Sequence, residues 1–129
     1  MKDHAFPRCV DIHSHLVPGV DDGAQEIEDT LTSVRNMNRS GIDKILTTPH
    51  LKGSLTQNPV AIRDRLTNVD EAFEQAARMV KQAFPTVEFK RGHEVMLDVP
   101  DVDFSDPRVR LAGTSFVLIE SNIVFPLYC

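Results

Sequence analysis

The chain has no tryptophan, one tyrosine and only two cysteines among its 129 residues. Cys9 and Cys129 stand at opposite ends, a spacing that does not read as a disulfide framework. Basic residues are in the minority. Fourteen Lys and Arg face 19 Asp and Glu, interspersed, for a net charge of −5. The basic stripe of a general nucleic-acid or membrane-surface binder is therefore missing. No apolar run approaches the roughly 18 residues of a membrane span. The opening residues, MKDHAFPRCV, carry no apolar h-region of a secretory signal. These absences predict a soluble, cytoplasmic protein with one domain over residues 1–129. Hydrophobic residues make up 41%, enough for a core. A full α/β barrel usually takes about 250 residues, so the chain is short for one.

What is present alternates between strand and helix patterns. Residues 9–12 are a short β-prone run, followed by a polar, Gly-containing loop over 13–25. Ile27, Leu31, Val34 and Met37 recur at helical spacing and predict a helix over 26–39. Glu26, Glu28 and Asp29 fall in its first turn, where the helix dipole favours anions, and Gly41 suits the left-handed position beyond its end. A strand over 44–48 stops at Pro49. Asn58 and Pro59 then supply an N-cap and a first helical residue. Ile62, Leu66, Val69, Phe73, Ala76, Val80 and Phe84 form an apolar stripe, with Arg63, Asp64, Asp70, Glu74, Arg78 and Lys81 on the polar face. Pro85 ends this helix, a strand follows over 86–90, and residues 100–107 read as an acidic surface turn. The last strand, 116–119, is apolar throughout and is expected to be buried on both faces. The order β-α-β-α-β-loop-β implies parallel strands with crossover helices, an α/β fold.

The polar residues cluster where strands end. His13 and His15 follow the first strand, two apart on extended backbone, so they point the same way. Asp21 and Asp22 lie in the next loop, His50 follows the second strand, His93 and Glu94 the third, and Glu120 ends the fourth. Sites in parallel α/β folds form at the carboxyl ends of strands. Each piece alone has an ordinary reading: surface histidines, an Asp-Gly turn, a strand terminus facing water. Four strand ends converging on His and carboxylate favour a metal site. No Cys joins them, which argues against a thiolate structural zinc site. Imidazole with carboxylate suits Mn, Fe or Zn, and several carboxylates suit more than one ion.

The run Asp11-Ile12-His13-Ser14-His15-Leu16-Val17-Pro18-Gly19-Val20-Asp21-Asp22-Gly23-Ala24 resembles the opening motif of the bacterial PHP-superfamily protein-tyrosine phosphatases. These are manganese-dependent enzymes of capsule and exopolysaccharide operons. Thr47-Thr48-Pro49-His50, Gly92-His93-Glu94-Val95 and Val117-Leu118-Ile119-Glu120 resemble the family's later motifs, in order. The resemblance implies the N-terminal part of a distorted PHP-type β/α barrel. It places metal ligands on His13, His15, Asp22, His50, Glu94 and Glu120, gives Asp21 a weaker claim than Asp22, and makes His93 a neighbour. His4 matches nothing. In this reading His13, His15 and Glu94 are the catalytic metal-site residues that activate water, with Glu94 bridging.

The implied substrate is a phosphotyrosine protein, with a bacterial tyrosine kinase as a candidate partner. A histidinol-phosphate type of phosphoesterase and a catalytically inactive remnant are the alternatives. Cysteine-based phosphatase chemistry is excluded, because His15 stands where Cys9 would need a phosphate-cradling Arg. Family members are longer, and their second half provides further His and Asp ligands and the phosphate-holding arginines. Residues 121–124 depart from the family pattern. A truncated product is therefore expected, with low activity unless a partner chain supplies the rest. Exposed edge strands would then favour self-association.

Overall fold

Pro49 and the Gly92-His93 pair end two expected strands, and a short strand that the sequence does not predict follows each. In the computed structural model, which describes residues 9–120, the strands before and after each break lie in different sheets. The elements are β1 (Cys9–Asp11), α1 (Ile27–Arg39), β2 (Ile42–Thr47), β3 (His50–Lys52), α2 (Pro59–Ala83), β4 (Glu88–Arg91), β5 (Glu94–Met96) and β6 (Leu118–Glu120). Short 3-10 turns cover Gly53–Gln57 and Pro107–Val109. One sheet has the order β1-β2-β4, the other β3-β5-β6, and every pairing is parallel. The four expected strands are thus six. The α/β class and the parallel arrangement stand.

The physical reason for the breaks is local. Proline has no N–H to give a ladder, so β2 cannot run through Pro49. Two cross-links stitch the two breaks side by side: Gly92 N–H donates to Thr47 O at 2.9 Å, and Glu94 N–H donates to Pro49 O at 2.9 Å. The second sheet therefore starts where the first stops, with His50 opposite Glu94 in its first register pair.

Both helices follow their sequence signals. Glu26 caps α1 through a reciprocal box with Asp29, and Gly41 takes φ 89° past its end. Asn58 Oδ1 accepts from Val60 N–H and Ala61 N–H at 3.1 Å, and Pro59 opens α2. The apolar stripe of α2 spans both sheets. Val80 packs with Leu16, Val34, Ile45 and Val87, while Leu66 packs with Leu51, Val95 and Val109. Truncating a buried leucine such as Leu66 to Ala removes about 2–5 kcal/mol in comparable cores. The polar face of α2 is not all solvated. Asp70 pairs with Arg91 of β4 and with Arg108, tying the helix to the segment before β6.

One expectation fails. The run over 116–119 is not buried on both faces: Phe116 is 70% exposed and Ile119 is 45% exposed. β6 is an edge strand whose one ladder partner among the described residues is β5, so its apolar side chains lack a second covering layer. His4, Cys129 and the divergent residues 121–124 lie outside the described residues.

Candidate metal centre

The centre sits at the junction of the two sheets, and buried threonines put it there. Thr47 Oγ1 accepts from Leu16 N–H at 2.9 Å and donates to Ser14 O at 3.0 Å. Thr48 N–H donates to the same Ser14 carbonyl at 2.7 Å, and Thr30 Oγ1 of α1 donates to Leu16 O at 2.8 Å. The residue between His13 and His15 is thereby pinned to β2, and the alternating side chains on either side emerge together. Both reach Glu94 Oε2: His13 Nε2 at 2.9 Å and His15 Nε2 at 3.1 Å. His50, held on β3 opposite Glu94, places Nδ1 3.7 Å from Glu94 Oε2 and 3.3 Å from Glu120 Oε2. The His15 and His50 rings stack at 4.4 Å with 17° between planes.

Asp21 is the anchor of the loop. Its Oδ2 accepts from His50 N–H at 3.0 Å and lies 3.2 Å from His15 Nδ1, while Oδ1 accepts from Gly23 N–H at 2.9 Å. Burial resists its ionisation, but the Gly23 and His50 amides and the His15 ring outweigh that and hold the carboxyl below its ordinary range. A carboxylate on the far nitrogen of an imidazole fixes which nitrogen is left to bind. Asp22, which the resemblance ranks above Asp21, has a side chain 84% exposed with Oδ1 3.3 Å from His50 Nε2. Geometrically, Asp21 rather than Asp22 joins the closest clusters.

Three overlapping groups place one donor atom from each member within 4.8 Å of the others: His13, His15 and Glu94; His15, Asp21 and His50; His50, Glu94 and Glu120. Cys9 is exposed on β1 and belongs to none of them. His93 points away from the groups. It is fully buried, with Nδ1 2.7 Å from Arg108 O. Burial, partly opposed by that carbonyl and reinforced by Arg91 and Arg65, pushes its pKa down to about 4.

Two sets of residues escaped the sequence reading. Thr47 and Thr48 were read as strand residues and as part of a motif, with no role given to their hydroxyls. Arg65, on the α2 turn facing the site, donates from Nη1 to Val20 O at 2.9 Å and from Nη2 to His50 O at 2.8 Å. Its one sequence signal is a cation beside the apolar stripe.

Comparison with known proteins bears on this geometry. The profile of the family described as capsular polysaccharide synthesis, CpsB/CapC, matches residues 9–126. The chain belongs to this family. It is 29% identical over 114 residues to the tyrosine-protein phosphatase YwqE of Bacillus subtilis, covering 86% of this chain and 42% of that protein. It is 36% identical over 50 residues to the tyrosine-protein phosphatase CpsB of Streptococcus agalactiae, covering 39% of this chain and 21% of that one. Its fold superposes with a TM-score of 0.66 and 28% identity on a solved structure from work on YwqE of Bacillus subtilis and CpsB of Streptococcus pneumoniae. Those proteins are described as metal-dependent tyrosine phosphatases. That match covers 88% of this chain and 44% of the solved one. This CpsB/CapC chain therefore spans less than half the length of its YwqE relative. Among the described residues no helix is long and apolar enough to cross a membrane.

Proposed function

We propose that this CpsB/CapC chain carries the metal-binding part of a phosphotyrosine phosphatase that controls capsular or exopolysaccharide synthesis. The observation that carries the reading is the convergence of His13, His15 and His50 on one buried carboxylate oxygen of Glu94. The donors suit divalent cations: three imidazoles and Glu94 with Glu120, no thiolate, and a carboxylate able to bridge. A further fit is Glu120 Oε2, which is buried, faces His50 Nδ1 at 3.3 Å and makes no well-aligned hydrogen bond. A buried carboxylate oxygen so poorly satisfied is an expensive arrangement that a cation relieves.

In this reading His13, His15 and Glu94 hold one ion, and His50, Glu94 and Glu120 hold a second. Asp21 orients His15, and Asp22 approaches His50 from the solvent side. Mn²⁺ is the metal proposed. When bound, such ions bring water to a reactive pKa and polarise phosphoryl oxygens. The chain's own contribution is to fix the donors and to keep the ester beside them. Lys52 lies next to His50 and supplies positive charge towards a phosphate, while Arg65 holds the backbone carbonyls of Val20 and His50. A tyrosine leaving group, with a phenol pKa of about 10, needs little protonation to depart. The proposed setting is the cytoplasm, with a tyrosine kinase or its targets as the phosphorylated partner.

The tyrosine-phosphatase relatives favour phosphotyrosine over histidinol phosphate. The test is hydrolysis of a phosphotyrosine peptide with added Mn²⁺, beside histidinol phosphate. Metal-dependent release of phosphate from the peptide, lost in the His13→Ala, His15→Ala double variant, is expected. Preference for histidinol phosphate, or activity unchanged in the double variant, contradicts the reading.

A further inference from the structure

His50 stands on an edge. Among the described residues β3 is the outer member of its sheet and pairs with β5 alone. Successive residues of a strand turn their N–H and C=O groups to opposite sides. Glu94 N–H reaches Pro49 O, so the peptide groups of His50 face the open side, away from β5. Two side chains meet them there in place of a strand. Asp21 Oδ2 accepts from His50 N–H at 3.0 Å, and Arg65 Nη2 donates to His50 O at 2.8 Å. Without such partners a three-residue edge strand leaves these groups to water and its end to fray.

Arg65 closes a ring of contacts. Its other terminal nitrogen, Nη1, donates at 2.9 Å to Val20 O, the carbonyl of the peptide bond that leads into Asp21. One guanidinium thus spans the loop that carries Asp21 and Asp22 and the strand that carries His50. The guanidinium is planar and its N–H groups form a fixed fork, so it sets the separation of the two carbonyls. Its base is fixed as well, because the next residue, Leu66, is fully buried against Leu51 and Val95. Thr47 and Thr48 hold the Ser14 carbonyl, between His13 and His15, without help from α2. The two parts of the centre have separate supports.

We propose that Arg65 is a positioning residue of the metal centre. It fixes His50 relative to Asp21 and Asp22, and so shapes the donor groups that contain His50 without serving the group of His13, His15 and Glu94. The inference rests on the metal reading of the sheet junction and adds the residue that sets the spacing of one part. Charge alone has the opposite effect, which separates the two roles. A cation beside a cation site repels the ion, so removing a mere charge strengthens metal binding. Removing a group that orients ligands weakens it.

The test uses the whole chain with ¹⁵N-labelled histidine and Zn²⁺ set by a competing chelator, a diamagnetic ion that lets each imidazole be followed separately. In Arg65→Met the His50 ring needs about tenfold more free Zn²⁺ to shift, while His13 shifts at nearly the parent level. Arg65→Lys, with the charge and not the fork, moves His50 in the same direction. In both metal-free variants the His50 amide exchanges faster with solvent. A His50 shift at unchanged or lower free Zn²⁺ in Arg65→Met overturns the proposal, as does an equal displacement of His13 and His50. So does loss of inorganic phosphate binding with both metal midpoints unchanged, which would make Arg65 an anion contact. Each of these leaves the metal reading in place. Histidine signals that ignore Zn²⁺ in the parent chain overturn both.

Discussion

Glu94 Oε2 lies 2.9 Å from His13 Nε2, across 81 residues of sequence. That contact joins the loop after β1 to the first residue of β5, and it exists because β2 and β4 of the first sheet stop at the same level. The Gly92–Thr47 and Glu94–Pro49 backbone bonds hold the two breaks in step. Buried beside three imidazoles, Glu94 calls for compensating positive charge, which in the proposed reading a divalent cation would supply.

Asp21 and Asp22 should separate cleanly under substitution. Asp21→Asn removes charge from a carboxylate that accepts from two backbone amides and faces His15. It is expected to lower stability at neutral pH by about 1–3 kcal/mol and to weaken metal binding by about 10- to 100-fold. Asp22→Asn, on an exposed side chain, is expected to leave stability within about 0.5 kcal/mol. Urea unfolding together with Mn²⁺ titration of both variants checks the pair. A larger stability loss for Asp22→Asn would reverse their roles.

Gly23 has no room for a side chain. A Cβ there would overlap the carbonyl oxygen and the Cβ of His15. Gly23→Ala is therefore expected to cost about 1–3 kcal/mol or more and to displace His15 from Glu94. The drop in thermal midpoint and the weakened Mn²⁺ affinity would appear together. A variant with unchanged midpoint and affinity would show that the loop has slack absent from the structure.

His93 gives the metal-free protein a pH dependence of defined sign. Its folded pKa of about 4 lies below the ordinary 6.5, so the unfolded chain takes up the proton first. The contribution is complete above about pH 6.5 and is lost as pH falls through 4, worth roughly 3 kcal/mol across that window. Urea midpoints between pH 7 and 4 should decline in the metal-free protein and decline less in His93→Gln. Equal slopes would place the titration elsewhere.

Much of this was legible beforehand. The helix stripes, the Asn58-Pro59 start and the Gly41 end are local signals, and local chemistry decided them. The ligand-type residues were legible because polar groups after apolar strands are conspicuous. The strands β3 and β5 were not, since three residues are too few to show a period and nothing local says that Pro49 and Gly92 fall at the same level. Nor was the exposure of Phe116, because an apolar run looks alike whether one or two layers cover it. The placement of Asp21 over Asp22, the anchoring by Thr47 and the reach of Arg65 depend on contacts between distant segments, which spacing alone does not encode.

The most direct measurement is paramagnetic broadening of imidazole resonances by Mn²⁺ at sub-stoichiometric amounts. His13, His15 and His50 should broaden first and together, His93 later because its ring faces away, and Glu94→Gln should require far more metal for the same effect. Imidazole signals of His13, His15 and His50 that remain sharp at several equivalents of Mn²⁺, or that broaden equally in Glu94→Gln, would contradict a metal centre at the junction of the two sheets.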